Sequence, residues 1–240
     1  MSPNRTRSIS VQDSVYSALR ESIISLNLAP GTIISEQEIS GRFNVSRTPV
    51  REAFIHLAGQ GLVTVVPQKE TVVSLIDFNR VEQEFFLRYS LETAVMGPFL
   101  EKCTNDHLTE LERLLDLQTR AFKKNSLAEY IQYDDAFHKV FFEGAGRIFG
   151  WEIICGMCGH YYRASMLIIR ISGISNERIL QHRNILNALK NREPAKTGEI
   201  LYKHLDIKTE EALLRKNFGS YFIRESRNRF NVDFGGMPPL

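Results

Sequence analysis

Residues 45–57, VSRTPVREAFIHL, constrain the fold more than any other stretch of this chain. A proline inside a helix breaks it, so Pro49 belongs in a first turn, where its missing N–H costs nothing. Ser46 precedes that turn and is expected to cap it by accepting a hydrogen bond from a free backbone N–H. Val50, Ala53, Phe54 and Leu57 then recur at helical spacing and make one apolar face. Arg47, Thr48 and Arg51 fall on the opposite side of the same turn. Two guanidinium groups and a hydroxyl at a helix N-terminus suit phosphate oxygens and the acceptor edge of guanine. On an isolated helix the same three residues read equally as a solvated charged face, so the flanking segments decide.

Before this helix, residues 11–26 place Val15, Leu19, Ile23 and Leu26 three and four apart, the pattern of an amphipathic helix. NLAPGT, residues 27–32, is a turn through Pro30-Gly31. Ser35-Glu36-Gln37-Glu38 fits a capping box and opens a short second helix ending at Phe43. Asn44-Val45 makes a tight turn into the third helix, which ends near residues 59–61. Residues 62–66 and 71–75 are β-rich and separated by Pro67-Gln68-Lys69-Glu70, which predicts a hairpin. Three helices followed by a hairpin describe a winged helix-turn-helix. In that arrangement the third helix enters the major groove and the hairpin lies along the backbone or minor groove. Bulk charge adds nothing: residues 1–75 carry seven Lys and Arg against six acids, a net of +1. The case for nucleic acid rests on where the charges sit.

From Asp77 onward strand signals disappear. Residues 77–100, 106–124, 127–145, 151–171, 176–192 and 196–216 read as helices, with Pro98 expected to kink or end the first and residues 220–230 forming a last short one. The fold class is therefore mainly α: an N-terminal winged helix-turn-helix followed by an all-α helical bundle. The expected organisation is a disordered N-terminus at 1–10, a DNA-binding domain at 11–76, the bundle at 77–230 and a tail at 231–240. Three cysteines, an odd number without framework spacing, suit a reducing compartment. The first ten residues hold no apolar core and no apolar run reaches the length of a membrane span, so a cytoplasmic protein is expected.

Within the bundle, Asp134 and His138 lie four apart on a helical face that also carries Ile131, Phe141 and Ala145. A carboxylate and an imidazole on an inward face need a partner. His182 sits between Ile179 and Leu186, and His204 between Ile200 and Ile207. Taken singly, each histidine reads as a hydrogen-bonded core residue. Taken together, three imidazoles and a carboxylate suit Zn(II), Ni(II), Mn(II) or Fe(II), with positions left open for a ligand oxygen.

PGTIISEQEIS, NVSRTPVREAF and GLVTVVPQ, in this order, resemble the DNA-binding domain of the GntR family of bacterial transcription regulators. The resemblance implies base or phosphate contacts by Arg47 and Arg51, supported by Ser46 and Thr48. It implies that Ser35, Glu36 and Gln37 open the helix that crosses the backbone, with Lys69 as a wing contact. The chain departs from the family at the wing tip, where Lys69-Glu70-Thr71 stands in place of the usual glycine. DDAFHKVFFEGAG, QHRNIL and YKHL resemble the ligand segments of the FCD effector domain in the FadR-type branch of that family. By this likeness Asp134, His138, His182 and His204 hold a divalent transition metal. Arg88 in LRYSLE matches an R-x-x-L-E element whose arginine faces the effector, and Arg163, with His160, is a second candidate. The two resemblances together imply a ligand-responsive DNA-binding regulator, a repressor by the commoner habit of the family and not an enzyme. A homodimer on a near-palindromic operator and a small carboxylate effector are its expected partners. A metal-free regulator of acyl ligands and a metalloenzyme are the alternatives.

Cys155-Gly156-Met157-Cys158 has no second pair and follows no strand, so it reads as core cysteines. Gly144-Ala145-Gly146 with Gly150 has the wrong spacing for a dinucleotide fingerprint. The chain has no P-loop and no nucleophile elbow.

Overall fold

The computed structural model describes residues 10–66 and 70–224. The first part comprises α1 (Val11–Ile24), β1 (Ile33–Ile34), α2 (Glu36–Phe43), α3 (Arg47–Gly59), β2 (Val63–Val65) and β3 (Thr71–Val73). Ser10 starts α1 through a reciprocal capping box with Asp13. Ser35 accepts from the Glu38 N–H at 3.1 Å, but the expected return bond is replaced: Glu38 pairs with Arg42. Asn44 ends α2 in the left-handed region, φ 51°, and so makes the tight turn into α3.

Ser46 occupies the cap position of α3 but makes no side-chain cap bond among the described residues, against expectation. An N-cap side chain bonds the second or third helical N–H. Here the third helical residue is Pro49, which has none. The wing also differs from a plain hairpin. Ile33 and Ile34 add a third strand, in the order β1-β3-β2, pairing with Val72 and Thr71. Two residues are too few to show strand alternation in sequence. Val15, Leu19 and Ile23 of α1 pack with Ile39, Val50, Phe54 and Leu57 in a core separate from that of the bundle.

The bundle comprises α4 (Phe78–Lys102), α5 (Asn105–Lys123), α6 (Leu127–Ala145), α7 (Ile148–Met157), α8 (Gly159–Ser172), α9 (Asn176–Lys190), α10 (Pro194–Leu205) and α11 (Glu211–Phe218). Pro98 does not end α4, because Phe99 and Leu100 beyond it are buried and hold the last turn in place. The expected single helix over 151–171 is two, broken at Cys158. A Cβ on Gly159 would stand 2.6 Å from the Leu62 side chain, so α8 begins where it meets the first unit. The run over 196–216 is also two helices, separated by extended backbone at Asp206 and a short turn at Lys208–Glu210. Residues 219–221 form a single 3-10 turn, and residues 225–230 of the expected last helix lie outside the described residues. No described helix is long and apolar enough to cross a membrane.

The two units meet through both apolar and polar contacts, with Leu26 at the end of α1 packed in the bundle's core. Ile76 bonds Tyr221 and Ile223 in a short parallel bridge, and the ring of Phe222 stacks on Phe78. His160 accepts the Asp77 N–H at 3.0 Å, and Arg170 donates to the Ser25 carbonyl at the end of α1. Glu84 lies buried on α4 near this junction, accepting the Tyr161 N–H at 2.8 Å. Burial pushes its carboxyl up to about 7, against the pull of Tyr161 and Arg80. Unfolded, the same group titrates near its ordinary value of 4.5. Its raised value favours the fold fully below about 4.5, and that contribution, at most about 3 kcal/mol, is lost as pH rises through about 7. Thermal melts between pH 5 and pH 8 are expected to fall more steeply for wild type than for Glu84→Gln. Parallel curves would show that Glu84 ionises as freely in the fold as out of it.

Candidate metal centre and effector cavity

α6 carries Asp134 and His138 one turn apart, α9 carries His182 and α10 carries His204. All three histidines are buried. Their Nε2 atoms converge: His138 to His204 is 3.1 Å, His182 to His204 is 3.1 Å and His138 to His182 is 3.3 Å. An Asp134 oxygen stands 3.5 Å from His182 Nε2, and the four ligand atoms lie within 4.8 Å of one another.

The opposite ring nitrogens set the tautomers. His138 Nδ1 faces Glu92 at 2.6 Å, His182 Nδ1 faces Gln118 at 2.8 Å, and His204 Nδ1 faces Gln181 at 2.8 Å. Each partner atom is an oxygen acceptor, so each Nδ1 carries the proton and each Nε2 presents a lone pair. Burial, the largest influence, pushes His182 down to about 3 and His204 well below its ordinary value, so both are neutral. Three lone pairs at this spacing cannot satisfy one another, and a shared cation satisfies all three. Two ligands about 2.1 Å from an ion stand about 3.0 Å apart at a right angle and about 3.4 Å apart at the tetrahedral angle. The observed separations fall between these limits, so the residues present fit a divalent transition ion. Gln118 also donates to Asp134 at 3.1 Å, orienting the carboxylate.

A cavity of about 100 Å³ opens beside the cluster, with Arg88, Asp134, Asp135, Tyr162 and Ser165 in its wall. Arg88 is buried and donates from Nε to Glu92 at 2.6 Å. The other Glu92 oxygen holds His138, so one carboxylate ties the arginine to the histidine cluster. Arg88 Nη2 and Ser165 Oγ are buried with no hydrogen-bond partner among the described residues. Buried polar atoms without partners are rare in folded proteins. Asp135, outside the metal set, accepts from the Tyr162 hydroxyl at 3.4 Å, and burial raises its carboxyl to about 6.

Arg163 is not in this cavity, contrary to the sequence expectation. It is fully buried at the junction of the two units, donating to the Ser74 carbonyl at 2.5 Å and to the Gly159 carbonyl at 3.2 Å. His160 is likewise committed to Asp77. In the first unit, Ser46, Arg47, Thr48 and Arg51 are exposed at the start of α3. Arg51 forms a two-pronged pair with Glu36 at 2.9 and 3.0 Å, and Arg47 donates to Gln37 at 3.3 Å. Ser35 caps the helix that carries both acceptors. Lys69 lies outside the described residues.

Two family models match the chain. Residues 11–73 match the bacterial regulatory proteins of the gntR family, and residues 84–207 match the FCD domain. The chain belongs to the GntR family, with an FCD domain. This GntR regulator is 31% identical to the HTH-type transcriptional repressor RspR of Escherichia coli K12, across 90% of its own length and 95% of the relative's. It is 27% identical to the transcriptional repressor NanR of Cronobacter sakazakii, covering 76% of this chain and 78% of that one. Among solved structures, E. coli McbR/YncC shares the fold, with a TM-score of 0.72 at 21% identity over 88% of this chain and 99% of that one. A GntR regulator from Rhodococcus sp. RHA1 does so with a TM-score of 0.69 at 21% identity, over 86% and 98% of the two chains.

The sequence reading missed Glu92 as a histidine partner, Gln118, Gln181 and Ser165. Glu92 left a trace, four residues after Arg88. The others have no signal in one sequence, because Gln118 and Gln181 meet histidines on other helices and Ser165 only faces a cavity. Gln118→Ala leaves the buried His182 Nδ1 without its acceptor and is expected to cost about 1–3 kcal/mol, measured by urea denaturation. A variant as stable as wild type would show that His182 does not depend on this bond.

Proposed function

We propose that this GntR regulator is a repressor whose bundle holds a divalent transition metal and takes a small organic acid as effector. One observation carries the reading: three Nε2 atoms and a carboxylate converge beside a cavity in which a buried guanidinium has an unpaired nitrogen. Asp134, His138, His182 and His204 would hold the ion, which when bound supplies a Lewis-acidic position for a carboxylate oxygen. Arg88 offers its free nitrogen to the second carboxylate oxygen, and Ser165 offers a hydroxyl. The rings of Trp151, Tyr161 and Tyr162 lie around the Arg88 guanidinium and shield it from water. This charged wall favours an organic acid over an acyl chain.

At the other end, Arg47 and Arg51 present their guanidiniums to operator DNA, with Ser35, Gln37, Ser46, Thr48 and Lys69 in support. Glu36 releases Arg51 when a phosphate replaces it. A homodimer places two α3 helices in successive major grooves about 34–36 Å apart. The effector relieves repression only if it binds one packing of the two units better than the other. The repressors among the relatives support the sign.

Protein purified without a histidine tag is expected to hold about one transition metal per chain, lost in His182→Ala. Metal in neither protein after incubation with Zn(II) or Ni(II) would sink the metal reading. Arg47→Ala is expected to weaken operator binding and to lower the slope of log affinity against log salt by about one. An unchanged slope would remove Arg47 from the phosphate contacts.

A further inference from the structure

The cavity beside the histidine cluster is not walled by the bundle alone. Arg20 and Ile24, from the last turns of α1, form one side of it. On that side the cavity meets a groove of about 920 Å³ between α1 and the helices α6, α7 and α8. The two spaces share Arg20, Ile24, Ile131, Asp135, Cys155 and Met166. A molecule moving from solvent to Arg88 by this groove passes the Arg20 side chain.

Arg20 is half-buried and donates from Nη2 to the Cys155 carbonyl in the last turn of α7. A guanidinium carries five N–H donors, and this is its one hydrogen bond among the described residues. Three arginines, Arg20, Arg88 and Arg178, line the cavity against two carboxylates, Asp134 and Asp135. Asp134 faces the histidines, and Asp135 bonds Tyr162. The three guanidiniums stand on different elements, α1, α4 and α9; Arg88 keeps an unpaired Nη2 beside its bond to Glu92, and Arg20 and Arg178 have no ion-pair partner among the described residues. One singly charged carboxylate at the inner end of the cavity leaves the α1 guanidinium unmatched.

We propose that Arg20 is an effector-binding residue supplied by the DNA-binding unit, and that the effector is a small dicarboxylate held between Arg88 and Arg20. The inference rests on the organic-acid reading and names its class. One carboxylate sits beside the histidine cluster at Arg88. The other meets the fork of Arg20, whose planar donors match two carboxylate oxygens. In doing so it competes with the Cys155 carbonyl for the same guanidinium. α1 packs its other face, Val15, Leu19 and Ile23, in one core with Val50 and Phe54 of α3. A ligand that reaches Arg20 therefore acts directly on the unit that carries Arg47 and Arg51. A ligand that reaches only Arg88 leaves the Arg20–Cys155 contact as it is. Dicarboxylates and monocarboxylates thus differ in their power to release DNA, because only the former interact differently with the two packings.

The test uses the full-length, metal-loaded protein, titrated calorimetrically with malonate, succinate and glutarate and with acetate, propionate and butyrate. Release of operator DNA is followed in parallel. Arg20→Gln keeps a donor for the Cys155 carbonyl and removes the charge. It is expected to weaken the preferred dicarboxylate by about 10- to 100-fold, the worth of a charge-assisted hydrogen bond, with monocarboxylate affinity unchanged and release lost. Arg20→Lys, a second variant that keeps the charge without the fork, is expected to fall between. Dicarboxylate binding and release equal to wild type in both variants would overturn the inference and leave the organic-acid reading standing. Equal loss of both ligand classes would make Arg20 a structural residue and overturn it too. Wild-type protein that binds no carboxylate would overturn the organic-acid reading and this inference together.

Discussion

Three imidazoles aimed at one point organise the bundle. Their buried Nε2 atoms stand 3.1–3.3 Å apart, and among the described residues no other protein group lies between them to take three lone pairs. Each ring is locked from behind by an acceptor on another residue: Glu92 on α4, Gln118 on α5 and Gln181 on α9. With His138 on α6 and His204 on α10, five helices are joined through one polar network. A buried network of this kind specifies a single packing only when every member has a partner. The position of α4 is thereby tied to the cluster, and α4 also presents Arg88 to the cavity.

The same helix leads back to the DNA-binding unit. Glu84 and Phe78 lie near the junction, where Arg163 and His160 of α8 bond the backbone at Ser74 and Asp77. The junction combines these directed bonds to carbonyl and amide groups with apolar contacts, Leu62 against Gly159 and Leu26 in the bundle's core. The two cores remain separate clusters. Directed bonds of this sort have alternative partners, whereas close-packed apolar contacts lose about a quarter to a half of their attraction when a gap of about 0.5–1 Å opens. α1 is held to the bundle in the same way, by Arg170 at its C-terminal end and by Arg20 on its flank.

Much of the first unit was legible because its signals are local. Pro49 in a first turn, Asn44 in a left-handed turn and the Pro30-Gly31 turn each act within a few residues. The Ser46 cap failed for an equally local reason, the missing N–H of Pro49, which stands in plain sight three residues on. The bundle helices were legible from their period, but two of their breaks were not. Gly159 reads as a neutral residue inside an apolar run until Leu62 is placed against it. The four inward residues of the cluster were visible from their spacing on apolar stripes. Gln118 and Ser165 were not, because a glutamine or serine on a helix carries no mark of what faces it. Arg163 was misplaced for the same reason: its position on the helix says that it is inward, not which wall it meets.

The amino-acid sequence by itself determined the family, the winged helix followed by a helical bundle, and the four residues of the candidate metal set. These rest on period, turn chemistry and motif order, all of which are properties of neighbouring residues. Tertiary structure alone decided that three histidines share one point with the same tautomer. It also decided that Glu92 joins Arg88 to that point, that Arg163 belongs to the junction, and that Arg20 reaches the cavity from the DNA-binding unit. Each of these pairs residues 46 to 135 positions apart or on separate helices, and the energies that select them come from burial and from distances that only the packed chain creates.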